Sequence, residues 1–195
     1  MAGADEAGRG SLAGPLVAAG VLLDYEALGR RERRLLAGLD DSKRMSEEQR
    51  ERLFPVVIGT ASRVAVTARC APGIDGRGLH VTNLAGLAEC LDRVAVDGAS
   101  CLVDGFRLPK LARDHEAVVG GDSQSAAIAA ASVIAKVTRD RYMRRAAAAY
   151  PGWDFDENVG YSTPGHRDAI GRNGVSALHR RSFASIAYSQ LELGA

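Results

Sequence analysis

Asp5-Glu6-Ala7-Gly8-Arg9-Gly10 follows a short apolar lead-in, Ala2-Gly3-Ala4. Its reading decides the fold: a strand that ends in two acids at a glycine turn puts carboxylates at the rim of a sheet. Carboxylates suit hard divalent cations such as Mg²⁺, which take oxygen ligands. Glycines let backbone N–H groups come close to a phosphate or a sugar. The arginine between them carries a planar fork matched to phosphate. Acids for metal beside donors for a phosphodiester point to metal-assisted phosphoryl chemistry. Taken alone, the same residues read rather as an acidic turn after a strand. Neighbouring strand residues face opposite ways, so Asp5 and Glu6 serve one site only if the strand ends there, as Gly8 and Gly10 suggest.

Outward from this stretch, the chain of 195 residues fits one domain. Hydrophobic residues make up 46% and charged residues 25%, the balance of a soluble globular protein. No apolar run is long enough to cross a bilayer. Leu12 to Leu23 imitates a signal-peptide core, but acids precede it and Gly14-Pro15 interrupts it, so it reads as a buried strand with its approach turn. Cys70, Cys90 and Cys101 are odd in number and lack zinc-like spacing; reduced, buried thiols in a cytoplasmic protein are expected. The net charge of +1 does not announce nucleic acid. Two bound divalent ions would raise it by about four units.

Ala2 to Asp5 predicts the first strand and Val17 to Leu23 its hairpin partner. Glu26 to Leu39 reads as a helix or a partly ordered helical arm. Ser46-Glu47-Glu48-Gln49 is a capping box opening a helix with Leu53, Val56 and Val57 on one side. Ala61 to Cys70 alternates as a strand, and Pro72-Gly73 is expected to end it. A helix is expected over Asn83 to Val96, with short strands over Ala99 to Asp104 and Glu116 to Val119. Ser123 to Ala149 is a long helix, apolar nearly all round in its first half and basic in its second. Pro164 to Arg172 predicts a short helix. The expectation is a mixed sheet flanked by helices, with a helical C-terminal portion. Residues 1–150 form the core and 151–195 an extension packed on it.

Asp5 and Asp104 each end an apolar strand before a glycine turn, and Asp122 sits between a strand and the long helix. Side-by-side strand ends could gather them at one rim, where ligands collect in open α/β sheets. Each alone could be an ordinary turn or cap residue. Tyr161 could stack on a sugar or base, or cover the edge of the core. Ser42-Lys43 could hold phosphate or form a solvated turn. Arg180-Arg181 could track a nucleic-acid backbone or be a solvated pair. The four histidines have no ligand-like spacing, so none is assigned to metal.

Several of these residues recur in one ordered series. Asp5 to Gly10 is followed by Asp41-Ser42-Lys43, Val103-Asp104-Gly105 and Gly121-Asp122. Then come Ile128 to Asp140 with its alanine-rich start, Gly160-Tyr161 and His179-Arg180-Arg181-Ser182-Phe183. From Ala2 to about Phe183 the chain resembles bacterial ribonuclease HII. The resemblance implies a ribonuclease H-like α/β fold with a helical C-terminal extension. It implies cleavage of the RNA strand of RNA–DNA hybrids and incision at single ribonucleotides in duplex DNA, leaving 5′-phosphate and 3′-hydroxyl ends. It implies two divalent ions, Mg²⁺ or Mn²⁺, on Asp5, Glu6, Asp104 and Asp122. Gly8, Arg9 and Gly10 match the turn that senses the 2′-hydroxyl, and Tyr161 matches the tyrosine at the RNA–DNA junction. Ser42, Lys43, Arg180 and Arg181 would touch substrate; Asp140 reads as a helix-surface partner for basic neighbours. The chain would be a cytoplasmic monomer without membrane contact. Two positions depart from the family: Gly120 and Val159 stand where lysine is common. Ribonuclease HIII, which typically has an extra N-terminal domain, is a close alternative. The direct start at the first strand and the Gly-Arg-Gly turn favour HII. Another metal nuclease of this fold and a non-catalytic nucleic-acid binder are further alternatives.

Overall fold

The structure, a computed structural model, describes residues 1–40, 42, 44–183 and 188. β1 (Ala2–Ala7) and β2 (Leu16–Leu22) come first, then α1 (Arg30–Leu36), α2 (Glu47–Thr60) and β3 (Arg63–Arg69). α3 (Ala71–Arg77), α4 (Leu79–Val94), β4 (Cys101–Asp104) and β5 (Glu116–Val118) follow. A 3-10 turn (Gly121–Ser123) leads into α5 (Ala126–Ala147), then α6 (Phe155–Asn158) and α7 (Pro164–Asn173). The sheet order is β3-β2-β1-β4-β5. β2 lies antiparallel to β1 and β3, whereas β4 lies parallel to β1 and β5. This is the mixed, helix-flanked sheet expected, with helices in the C-terminal portion. No helix among the described residues is long and apolar enough to cross a membrane.

Strand alternation sorts β1 between two cores. Ala2 and Ala4 pack with Ala18 and Leu22 against Leu87, Cys90, Leu91 and Val94 of α4. On the opposite face Ala7, Val17, Ala19 and Val21 meet Ala127, Ala130, Ala131 and Ile134 of α5, with Val57 of α2. Both helices sit close because the sheet withholds a side chain beneath each. A Cβ on Gly3 would collide with the Ala127 backbone, and one on Gly20 would come within 2.7 Å of the Cys90 carbonyl. The run of alanines in α5 is the other half of this fit. Residues from Ala127 to Ala135 are all buried, so an amphipathic stripe was never needed.

The structure departs from expectation where turn chemistry decides. β1 runs on to Ala7, two residues past Asp5. The arm expected over Glu26 to Leu39 is helical only from Arg30 to Leu36. The Asp24 carboxylate accepts the Glu26 and Ala27 N–H groups, turning the chain there instead. Pro72 does not merely end β3; it occupies the first turn of α3, where its missing N–H has no partner to lose. α4 starts four residues early, behind Gly78 at φ 84°. The 3-10 turn takes up what looked like the start of α5. The capping box forms: Gln49 N–H donates to Ser46 Oγ at 3.2 Å and Ser46 N–H to Gln49 Oε1 at 2.7 Å. Cys90 and Cys101 are buried thiols, but Cys70 is exposed, because it precedes α3 at the open end of β3.

Candidate active site

Strand register brings the first two acids together. Ala4 pairs with Val103 in the parallel β1–β4 ladder. The next residue on each strand is therefore an aspartate, and both turn to the same face on strands about 4.8 Å apart. That face is the one α5 covers. Asp5 is buried there, and Asp104 accepts the Gly121 N–H at 2.8 Å. Asp122 is the next residue along, buried on the turn before α5.

Asp5, Glu6 and Asp104 line one cleft of about 560 Å³ with Gly8, Arg9, Gly10, Ser42, Arg50, Phe106, Lys136 and Tyr161. Asp122 does not line it. Burial, then the charges of Glu6 and Asp104, push the Asp5 carboxyl up to about 8. A hydrogen bond from Ser132 works the other way. Ser42 Oγ lies 2.7 Å from Ser132 Oγ. If Ser132 donates to the carboxylate, Ser42 must donate to Ser132, so two hydroxyls line up behind one acid.

A buried carboxyl whose ionisation is opposed by neighbouring acids is one that a bound cation would relieve. The donors are all oxygen, which fits Mg²⁺ or Mn²⁺. Among the described residues no three acids, histidines or cysteines already converge as a finished coordination set. The fit therefore rests on donor chemistry and on the strain at Asp5.

Opposite the acids, the Arg9 guanidinium lies 4.5 Å from the Phe106 ring centroid. Lys136 Nζ stands 4.8 Å over the Tyr161 ring and Arg139 Cζ 5.0 Å from it. Lys136 also pairs with Asp140 at 2.9 Å. Asp140 thus has its basic partner, but it is buried rather than on the helix surface. Lys136, Arg50 and Phe106 were not singled out in the sequence. Lys136 was legible: it stands one helical turn after Ser132, whose hydroxyl bonds Asp5.

The Tyr161 backbone is set by two histidines. His166 Nδ1 must donate to the Tyr161 carbonyl, 2.8 Å away. Its Nε2 then accepts from His179 Nε2 at 3.1 Å. His179 Nδ1 in turn accepts the Ser176 N–H at 2.9 Å and hydroxyl at 2.8 Å. Every group is matched only when both rings are neutral. Burial, with His166 beside it, pushes His179 down to about 4; burial also lowers His166. With folded values below the unfolded 6.5, stability is complete above pH 6.5 and is lost as pH falls toward 4. The loss expected from His179 is about 2–3 kcal/mol. Urea unfolding at pH 7 and pH 4.5 should show it, and His179→Asn should flatten the dependence. An unchanged slope in that variant would clear the pair of this role.

Other expected substrate contacts lie elsewhere. Arg180, expected to track a backbone, is fully buried and cannot. Its Nε and Nη2 donate to the Gly14 carbonyl at 3.1 and 3.0 Å, and Nη1 to the Arg9 carbonyl at 3.1 Å. Arg181 is exposed, with its N–H bonded to Asp75 Oδ2 at 3.0 Å, and does not line the cleft. Ser42 lines the cleft, but its hydroxyl is engaged with Ser132. Lys43 lies outside the described residues. Of the two departures from the family pattern, Val159 is buried at φ 42° in an apolar cluster with Met143 and Phe155. Gly120 has φ 64° at the turn before Asp122.

The family model described as Ribonuclease HII matches residues 2–186. The ribonuclease HII of Mycobacteroides abscessus is 44% identical over 186 residues, covering 95% of this chain and 77% of that protein. Among solved structures, ribonuclease H2 from Pyrococcus horikoshii superposes with a TM-score of 0.79 at 27% identity, covering 99% of this chain and 97% of that one. Bst-RNase HIII in complex with Mn²⁺ shares the fold at 21% identity and a TM-score of 0.74, covering 98% of this chain and 68% of that one.

Proposed function

The chain belongs to the ribonuclease HII family, an endoribonuclease acting on RNA–DNA hybrids, and from that premise we propose that it also incises at single ribonucleotides embedded in duplex DNA. Products carry 5′-phosphate and 3′-hydroxyl ends. The observation that carries this reading is the shared cleft: Asp5, Glu6 and Asp104 face the Gly8–Gly10 turn and Tyr161 across one space. Asp5, Glu6, Asp104 and Asp122 would hold two divalent ions, which when bound supply water activation and charge neutralisation at the leaving oxygen.

The chain's own residues do the rest. Ser132, backed by Ser42, steadies the ionised form of Asp5. The Gly8–Gly10 turn offers backbone donors at the cleft wall, where a 2′-hydroxyl distinguishes RNA from DNA. Tyr161, which lines the cleft with Lys136 and Arg139 over its ring, would meet the RNA–DNA junction. Lys136 and Arg9 supply positive charge to the substrate phosphates. The protein acts as a cytoplasmic monomer on hybrids and on duplex DNA containing ribonucleotides.

A duplex with one embedded ribonucleotide tests the reading, incubated with Mg²⁺, with Mn²⁺ or with chelator, and with the broken bond mapped. Cleavage at the ribonucleotide that needs the metal and leaves a 5′-phosphate supports it. Cleavage of long hybrids with the single-ribonucleotide duplex left intact refutes it. Tyr161→Phe should slow single-ribonucleotide incision about 3–10-fold, as a lost hydroxyl contact of 1 kcal/mol or so would. Unchanged kinetics would take the hydroxyl out of the reaction.

A further inference from the structure

Arg139 is fully buried in the first basic turn of α5, and its fork reaches two separate segments. Toward one, Nη2 donates to Ser11 Oγ at 2.7 Å and to the Ala13 carbonyl at 2.9 Å, and Nε to the Pro15 carbonyl at 2.9 Å. Ser11 Oγ passes the connection on, donating to the Gly8 carbonyl at 2.8 Å. Toward the other, Nη1 donates to the Val159 carbonyl at 2.8 Å, and the guanidinium stands near the Tyr161 ring. The segments also touch directly, through Ala13 N–H and the Gly160 carbonyl at 3.1 Å. Asp140 approaches Arg139 only to 3.9 Å. A buried cation satisfied mainly by carbonyls is a costly way to fill space. Its advantage is geometric, since a planar fork fixes several acceptors at once and a lysine's single ammonium cannot span them.

We propose that Arg139 is a positioning residue that sets the spacing between the Gly8–Gly10 turn and Tyr161, and thereby the ribose selectivity of the cleft. This rests on the single-ribonucleotide reading above for its functional half only. Arg180 is the internal control. It is equally buried, but its bonds go to Gly14 and Arg9, so it fastens the turn and not the tyrosine segment.

Hydrogen exchange on the full-length enzyme reads the coupling without any activity. In Arg139→Lys, amides of both segments, 7–15 and 157–163, should exchange at least about tenfold faster; in Arg180→Lys only 7–15 should. Acceleration of one segment alone in Arg139→Lys, or of both in Arg180→Lys, overturns the assignment. For the functional half, kcat on a saturating single-ribonucleotide duplex, measured well below each variant's Tm, should fall 10–100-fold in Arg139→Lys. Mn²⁺ affinity should stay within about twofold of wild type. A kcat equal to wild type while Tm falls would reduce Arg139 to a structural residue. Ser11→Ala keeps the arginine and severs only its connection to Gly8. It should lose 3–10-fold in the same kcat, and no loss counts against the proposal even if Arg139→Lys does not fold. A wild-type enzyme that leaves the single-ribonucleotide duplex intact refutes the function proposed above, while the exchange pattern still decides the coupling.

Discussion

Asp104→Asn should leave the protein folded and lower kcat on a hybrid duplex on the order of 10³-fold, as the loss of several kcal/mol of charge stabilisation requires. Asp104 accepts a hydrogen bond from the Gly121 N–H at 2.8 Å. An asparagine oxygen can accept it equally well, and the side chain is only half-buried, so stability should change by less than about 1 kcal/mol. What the amide cannot do is supply a charge to a hard cation. Removing that charge also relieves Asp5, whose carboxyl is held high partly by Asp104. The variant should therefore be no less stable in chelator than wild type while being nearly inert in Mg²⁺. Cleavage within tenfold of wild type in Mg²⁺ would remove Asp104 from the chemistry and undo the metal-site assignment.

Gly8→Ala should be strongly destabilising for a single added methyl. Gly8 has φ 85°, where an L side chain costs roughly 1–2 kcal/mol. Its Cβ would also fall on the side chain of Arg139, with Cδ at 2.5 Å and Cζ at 2.9 Å. Making room means moving a buried guanidinium off its carbonyls, each worth about 1–3 kcal/mol if left unmatched. The sum is on the order of 3–5 kcal/mol, a Tm lowered by roughly 10 °C in a protein of this size. Gly10→Ala is the comparison: it lies in the same turn with nothing within 4 Å of an added Cβ, so its Tm should barely move. Equal Tm changes in the two variants would contradict this account of the turn.

How much the sequence could reveal depended on the range of the interaction involved. Asp5 and Asp104 were recognisable because each follows an apolar strand segment shortly before a glycine, a local pattern that strand pairing then aligns. The alanine run announced a buried helix for the same reason. Arg180 was misread because a basic pair before the tail looks solvated. Its burial depends on carbonyls of Arg9 and Gly14, more than 160 positions away in the chain, which no local pattern encodes. The neutral histidine pair was missed likewise, since His166 and His179 meet through the Ser176 turn rather than by helical spacing. Pro72 shows a different failure. Proline ends strands and opens helices alike, and only the chain after it tells which.

The missing side chain at Gly3 reaches further than its two neighbours. α5 rests directly on that residue, and the same helix carries Ser132, Lys136 and Arg139 along its length. A stiff rod set down on a pivot transmits any shim beneath one end to everything mounted on it. A single methyl there would lift the helix and alter the depth of the cleft beside Asp5, without any change in the cleft's own lining. The calibre of that cleft is thus gauged by an atom the chain leaves out.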